Sequence, residues 1–238
     1  MIQFDNPLTL ISGIFILIAI VITFIVGFKS FKSYRRKKAS ETLLISLTAF
    51  FLSLAMIFLV LVKVFAEIDP ALSLLFFVNI AVIVSGIAFL SLDAFSFKFA
   101  FPKRFKTLTI LFSFLIILYV GFYIFSPKYL LGDEVVFKPW SDLGFAPMDI
   151  IVYFTIIPIL IVPILVFSYY FMRVRKTNPS RSKRALFIGL AGLLLAIAYI
   201  YELIGQDLLI TTILRSFYVF AGLLLYWSLF KIKEPEKS

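Results

Sequence analysis

The sequence predicts an all-α fold: a polytopic bundle of seven transmembrane helices, N-terminus outside and C-terminus cytoplasmic. Three observations carry this reading. Seven apolar runs are each long enough to cross a bilayer core about 30 Å thick, which takes roughly 20 helical residues because unpaired backbone groups find no partner in lipid. The lysines and arginines between the runs fall on alternate connections. With 62% of the 238 residues hydrophobic and 15% charged, little chain is left for a water-soluble domain, so residues 1–238 read as one membrane domain.

The first run, 7–28, follows MIQFDNP, which carries an acid and no cation. A secretory signal opens on cations, so this run reads as the first helix. Helices two, three and four are predicted over 42–66, 71–97 and 107–126. Helix five, 149–172, contains Pro158 and Pro163, which remove backbone donors, free carbonyls one turn earlier and predict a kink. Helices six and seven are predicted over 185–205 and 208–230. Tyr169, Tyr170, Tyr226 and Trp227 fall near helix ends, at the interfacial level that amphipathic rings favour. The longest outer connection, 127–148, mixes Tyr129, Phe137, Trp140 and Phe145 with charges. It reads either as a lid with a brief strand at Val135, Val136 and Phe137, or as an amphipathic stretch resting on head groups.

Orientation follows from the cations. Lys29, Lys32, Arg35, Arg36, Lys37 and Lys38 occupy the first connection; Lys98, Lys103, Arg104 and Lys106 the third; Arg173, Arg175, Lys176, Arg181, Lys183 and Arg184 the fifth; Lys231, Lys233 and Lys237 the tail. Only Lys63, Lys128, Lys138 and Arg215 lie elsewhere. Asp5, Glu67, Asp69, Asp133, Glu134, Asp142, Asp149 and Asp207 gather on the side opposite the basic loops. Cation-rich short loops stay cytoplasmic, which sets the orientation and the expectation of a multi-pass cell-membrane protein. The net charge of +10 is thereby accounted for by topology, with anionic lipid head groups as the partner and no nucleic acid.

The chain has no histidine and no cysteine. Histidine-held haem, zinc sites of ordinary type, thiol catalysis, Ser-His triads and disulfides within the chain are thus excluded. A retinal photoreceptor of the seven-helix kind needs a lysine in the last helix, where 208–230 offers Arg215 instead. No helix carries the arginines of a voltage sensor, and no P-loop or GxGxxG run is present. The expectation is no cofactor, no metal, no catalytic residue and no enzymatic activity.

Polar residues inside the runs follow helical spacing. Ser46, Ala49, Ser53, Met56, Val60, Lys63 and Glu67 share one face of helix two; Asn79, Gly86 and Asp93 one stripe of helix three. Helix six repeats the pattern with Ala185, Gly189, Gly192, Ala196, Tyr199, Glu202 and Gln206, and helix seven with Thr211, Arg215, Tyr218 and Gly222. Helices two, three, six and seven are therefore expected inside, with the nearly uniformly apolar one and four outside. Small residues in such stripes also simply let helices approach closely. Asp93, near Lys98, reads as a solvated charge at the cytoplasmic end.

Arg215 falls about 10 Å into helix seven at 1.5 Å per residue. A charge at that depth needs a partner, and Glu202 stands across a short turn on the antiparallel neighbour. Two readings stay open. One is an intramembrane ion pair, Glu202 with Arg215, that fixes helix register. The other adds Lys63, Glu67, Asn79, Gln206 and Tyr218 as an outward-opening polar pocket for a small anionic or zwitterionic ligand.

The basic RSKR at Arg181 to Arg184 and the runs FIGLAGLLLAIAYIYELI and ILRSFYVFAGLLLYW, in an outside-in seven-span chain of this size, resemble the seven-transmembrane sensor regions that precede kinase domains in microbial membrane histidine kinases. The resemblance implies ligand or membrane-state sensing through the bundle. The terminal KIKEPEKS departs from that family's pattern, since no kinase domain follows, and a signal would pass to a separate cytoplasmic or membrane protein partner. The expected function is receptor-like, sensory or accessory. A small transporter or channel is the alternative, with a structural subunit of a larger membrane complex as the second. Gly and Pro interruptions do not recur between halves, so the internal repeats of many transporters are not evident.

Overall fold

A computed structural model describes residues 7–66, 76–125, 129–131, 134–136, 147–204 and 208–232. Among the described residues seven α-helices carry the fold: α1 Pro7–Lys37, α2 Ser40–Ala66, α3 Val78–Ala100, α4 Phe105–Phe125, α5 Pro147–Val174, α6 Pro179–Ile204 and α7 Leu208–Phe230. All seven contribute a segment long and apolar enough to cross a membrane. Between α4 and α5, Tyr129–Leu131 pairs antiparallel with Glu134–Val136, so Val135 and Val136 are in a strand, while Phe137 lies outside the described residues. Pro158 and Pro163 both sit inside α5.

Two helices outrun their apolar stretches. α1 continues to Lys37, nine residues past the expected end at 28, and α6 begins at Pro179, six residues before 185. Hydropathy falls where the bilayer ends, whereas a helix continues through Lys and Arg, which are good helix formers. α1 stops at Lys38, whose φ of 53° is left-handed and whose N–H donates to Tyr34 O at 2.7 Å, an αL cap completed without glycine. Between α3 and α4, Pro102–Arg104 forms a single 3₁₀ turn.

Each helix packs on its neighbours in chain order, and α1 packs on α7 to close a ring. α3, which also touches α5, is the most enclosed helix. Large apolar side chains such as Leu17, Val21, Ile117, Phe154, Leu165 and Phe220 line the outer surface, an exposure that lipid tails satisfy.

Contrary to the sequence expectation, α1 and α4 contribute to the interior. Ser12, Ile16, Ala19, Thr23, Val26, Gly27 and Ser30 form a buried stripe on α1 at steps of three and four. Gly27 faces the Phe50 ring, and a Cβ there would lie 2.9 Å from it; Ser46 Oγ donates to Gly27 O at 2.9 Å. Ser53 Oγ donates to Ile20 O at 3.2 Å, which ties α1 to α2 again. On its other side α1 meets Gly222, where a Cβ would come within 2.8 Å of Ile22. These are membrane-type contacts, in which small residues bring backbones together and hydroxyls bridge helices for about 1 kcal/mol each. From α4, Tyr119 and Tyr123 are among the largest fully buried side chains.

Candidate functional site

The site is built from α7 outward. Arg215 lies seven residues inside α7 and is only 4% exposed. Nε donates to Glu202 Oε1 at 2.6 Å and Nη2 to Oε2 at 3.0 Å, the two-pronged match of a guanidinium edge to a carboxylate. Nη1 donates to Ser12 Oγ on α1 at 2.5 Å. One residue of α7 thus binds both ring neighbours, α6 and α1. Nearby, the Thr212 hydroxyl donates to Leu208 O of its own helix at 2.7 Å and lies 3.3 Å from Leu8 O on α1. Glu202's side chain is 16% exposed against 5% for Arg215, and the pair lies toward the end of the bundle away from the basic loops, near the end of α6 and the start of α7.

One turn back on α6, Tyr199 makes the complementary connection. Its hydroxyl is 2.8 Å from Ser85 Oγ of α3 and 2.6 Å from the Tyr119 hydroxyl of α4. Its ring meets Phe89 of α3 edge-on at 4.8 Å between centroids. Glu202 and Tyr199, three residues apart and therefore on one face of α6, hold that helix to α7 on one side and to α3 and α4 on the other. Through Ser12 the polar chain reaches α1 as well.

Of the residues singled out from sequence, Glu202 and Arg215 are in contact, and Tyr218, one turn beyond Arg215, is buried beside them, its hydroxyl without a hydrogen-bond partner among the described residues. Asn79 is half-buried in the first turn of α3. Glu67 and Gln206 lie outside the described residues, as does the side chain of Lys63. Gly189 packs against Phe167 of α5 and Gly192 against Ile164.

Ser12, Ser85, Tyr119 and the bridging role of Tyr199 were not legible as a set. The sequence signals were the small-residue stripe of α1 and the i, i+4 spacing of Tyr119 and Tyr123 in an otherwise apolar helix. Asp93 departs from its expectation as a solvated charge: it is 0% exposed and, among the described residues, neither carboxyl oxygen has a hydrogen-bond partner. Lys98, its presumed neighbour in water, instead donates to Ser40 at the start of α2. At the basic end, Lys29 Nζ bonds the Tyr226 hydroxyl at 2.7 Å and sits 4.6 Å from the centre of its ring. Arg184 Nε donates to Ile232 O at 3.1 Å, fastening α6 to the residues after α7.

No protein-family model matches the chain, and no curated protein or solved structure matches it.

Proposed function

We propose that this multi-pass membrane protein is a receptor-like, sensory bundle of the cell membrane, oriented N-terminus outside and C-terminus cytoplasmic, that reads a small anionic or zwitterionic ligand through α6. The observation that carries the proposal is the pair of bonds on one face of α6: Glu202 to Arg215, and Tyr199 to Ser85 and Tyr119. A ligand carboxylate arriving from the outer end competes with Glu202 for the arginine fork, which favours planar two-oxygen partners. A ligand ammonium competes for Glu202. Either exchange loosens α6 from α7 while Tyr199 still joins it to α3 and α4, and differential affinity for the loosened state shifts the population. Lys63, Glu67, Asn79, Gln206 and Tyr218 complete the proposed pocket.

The output in this reading is mechanical: a displacement of α6 reaches the basic loops, where a separate cytoplasmic or membrane protein docks. Thermal-shift measurements with carboxylate, phosphate and amino-acid ligands test the input. A saturable rise in melting temperature is expected, and it should vanish in Lys63→Ala without loss of folding. Purification in mild detergent with identification of co-purifying proteins tests the output. Substrate-dependent flux in reconstituted liposomes would overturn the receptor reading in favour of a small transporter or channel.

A further inference from the structure

The second buried ionisable feature of the bundle is Asp93, and none of the proposed ligand chemistry uses it. Asp93 stands seven residues before the end of α3, about 10 Å from the basic end of that helix at 1.5 Å per residue. Phe89 and Phe97 flank it one turn away on α3. On the same stripe Gly86 faces Val120 and Ile116, and Phe97 meets Phe112 edge-on at 4.9 Å, which sets Asp93 level with the turns of α4 between Phe112 and Ile116, where the one hydroxyl, Ser113, donates to its own helix at Thr109 O.

The charged and titratable groups of the packed helices are elsewhere. Lys98 is engaged with Ser40 of α2, and Glu41 belongs to the first turn of α2. Lys106 stands at the opening of α4, while Tyr119 and Tyr123 lie toward the opposite end, with Tyr119 bonded to Tyr199. On α5, Tyr170 packs on Phe99 and Arg173 falls in the last turn. Ser96 spends its hydroxyl on the backbone carbonyl of Asp93, not on the carboxyl.

A buried carboxylate with no hydrogen-bond donor among the described residues carries a desolvation cost of several kcal/mol, and the ordinary resolution is to neutralise it. The orphan carboxyl therefore carries its own neutralising group. We propose that Asp93 is a proton-binding site of the membrane interior, whose proton is exchangeable and whose occupancy is coupled to the packing of the bundle near its basic end. On release, the O–H bond breaks, the proton passes to a water admitted to the site and the electron pair stays on the carboxylate. That charge is tolerated only once water or a donor reaches it, so release requires α3 and its neighbours to part. Aspartate at this position, where asparagine has the same size, makes neutrality conditional on a proton. The inference does not rest on the receptor reading and holds equally for a transporter.

Infrared difference spectroscopy on the full chain in lipid nanodiscs tests it, comparing the wild-type protein with Asp93→Asn at neutral pH. The expected result is loss of one carboxylic-acid C=O stretch in the variant. Loss of carboxylate stretches instead would overturn the proposal. Should Asp93→Asn fail to fold, wild-type protein with ¹³C-labelled aspartate gives the same decision, through the presence or absence of an isotope-shifted acid band. In the wild-type protein, labelled or unlabelled, the band is expected to disappear reversibly as the medium is made alkaline; a band that persists while the bundle stays folded would show a locked proton and refute exchange.

Discussion

Arg215→Ala removes the fork that joins three helices, and its consequence can be worked from the contacts. Three charge-assisted hydrogen bonds disappear, two to Glu202 and one to Ser12. The larger effect is on what remains: the Glu202 carboxyl is left beside buried Tyr218 with its strongest partner gone. Breaking a buried pair by deleting one partner costs about 3–5 kcal/mol. For a protein of this size each kcal/mol moves the melting temperature by about 2–4 °C, so the expected fall is roughly 6–20 °C. Glu202→Gln placed on Arg215→Ala removes the stranded carboxyl and should recover part of the loss, giving a coupling energy of about 0.5–3 kcal/mol in the double-mutant cycle. Arg215→Lys keeps the charge but loses the fork and should fall between. The assay is thermal unfolding in mild detergent, with SDS titration as an equilibrium check. Melting within about 1 °C of wild type for both Arg215→Ala and Glu202→Gln would refute the reasoning, because a pair worth a few tenths of a kcal/mol would be no more than an average membrane hydrogen bond.

Tyr199→Phe should cost about 1–3 kcal/mol, since it strands the Tyr119 hydroxyl; Ser85→Ala should cost less, because Tyr119 and Tyr199 keep each other. Unfolding titrations of the two variants check the order. Gly222→Ala forces a Cβ against Ile22 and should destabilise by about 1–3 kcal/mol, whereas Gly121→Ala, with nothing within 4 Å, should be neutral or stabilise by about 0.5–1 kcal/mol. The same titrations decide, and equal effects would contradict the packing at the α1 to α7 contact. The cysteine-free chain is a ready background for topology mapping. An impermeant maleimide should label Ser126→Cys in intact cells, and Ala39→Cys and Asn178→Cys only after permeabilisation; the reverse pattern would invert the proposed orientation.

The seven spans were legible because lipid imposes one rule along the whole chain: backbone pairing within the helix and apolar side chains over about 20 residues. The Glu202 to Arg215 contact was legible for a related reason, since a deep arginine has few places to find an acid and a short turn limits the search. What composition conceals is which face of an apolar helix looks inward. Ser12 and Thr23 are weakly polar, and Tyr119 and Tyr123 are mostly ring, so α1 and α4 read as lipid-facing although both have buried stripes. Asp93 was misjudged through its nearness in sequence to Lys98. The helix sends Lys98 to Ser40 and turns Asp93 into the apolar interior, a difference of facing that linear distance does not record.

The closed ring also dictates an order of assembly. Arg215 enters the bilayer in the last helix, and inserting an arginine at depth costs about 2.5–3.5 kcal/mol on its own. Its acid lies 13 residues upstream on the helix inserted just before, so α6 and α7 enter most cheaply as a hairpin with the charge already matched. Ser12 is 203 residues away and must wait until α7 has been synthesised. The seam between α1 and α7 thus forms after the α6 to α7 contact. Until α7 arrives, the Ser12 face of α1 has only lipid or a chaperone to cover it.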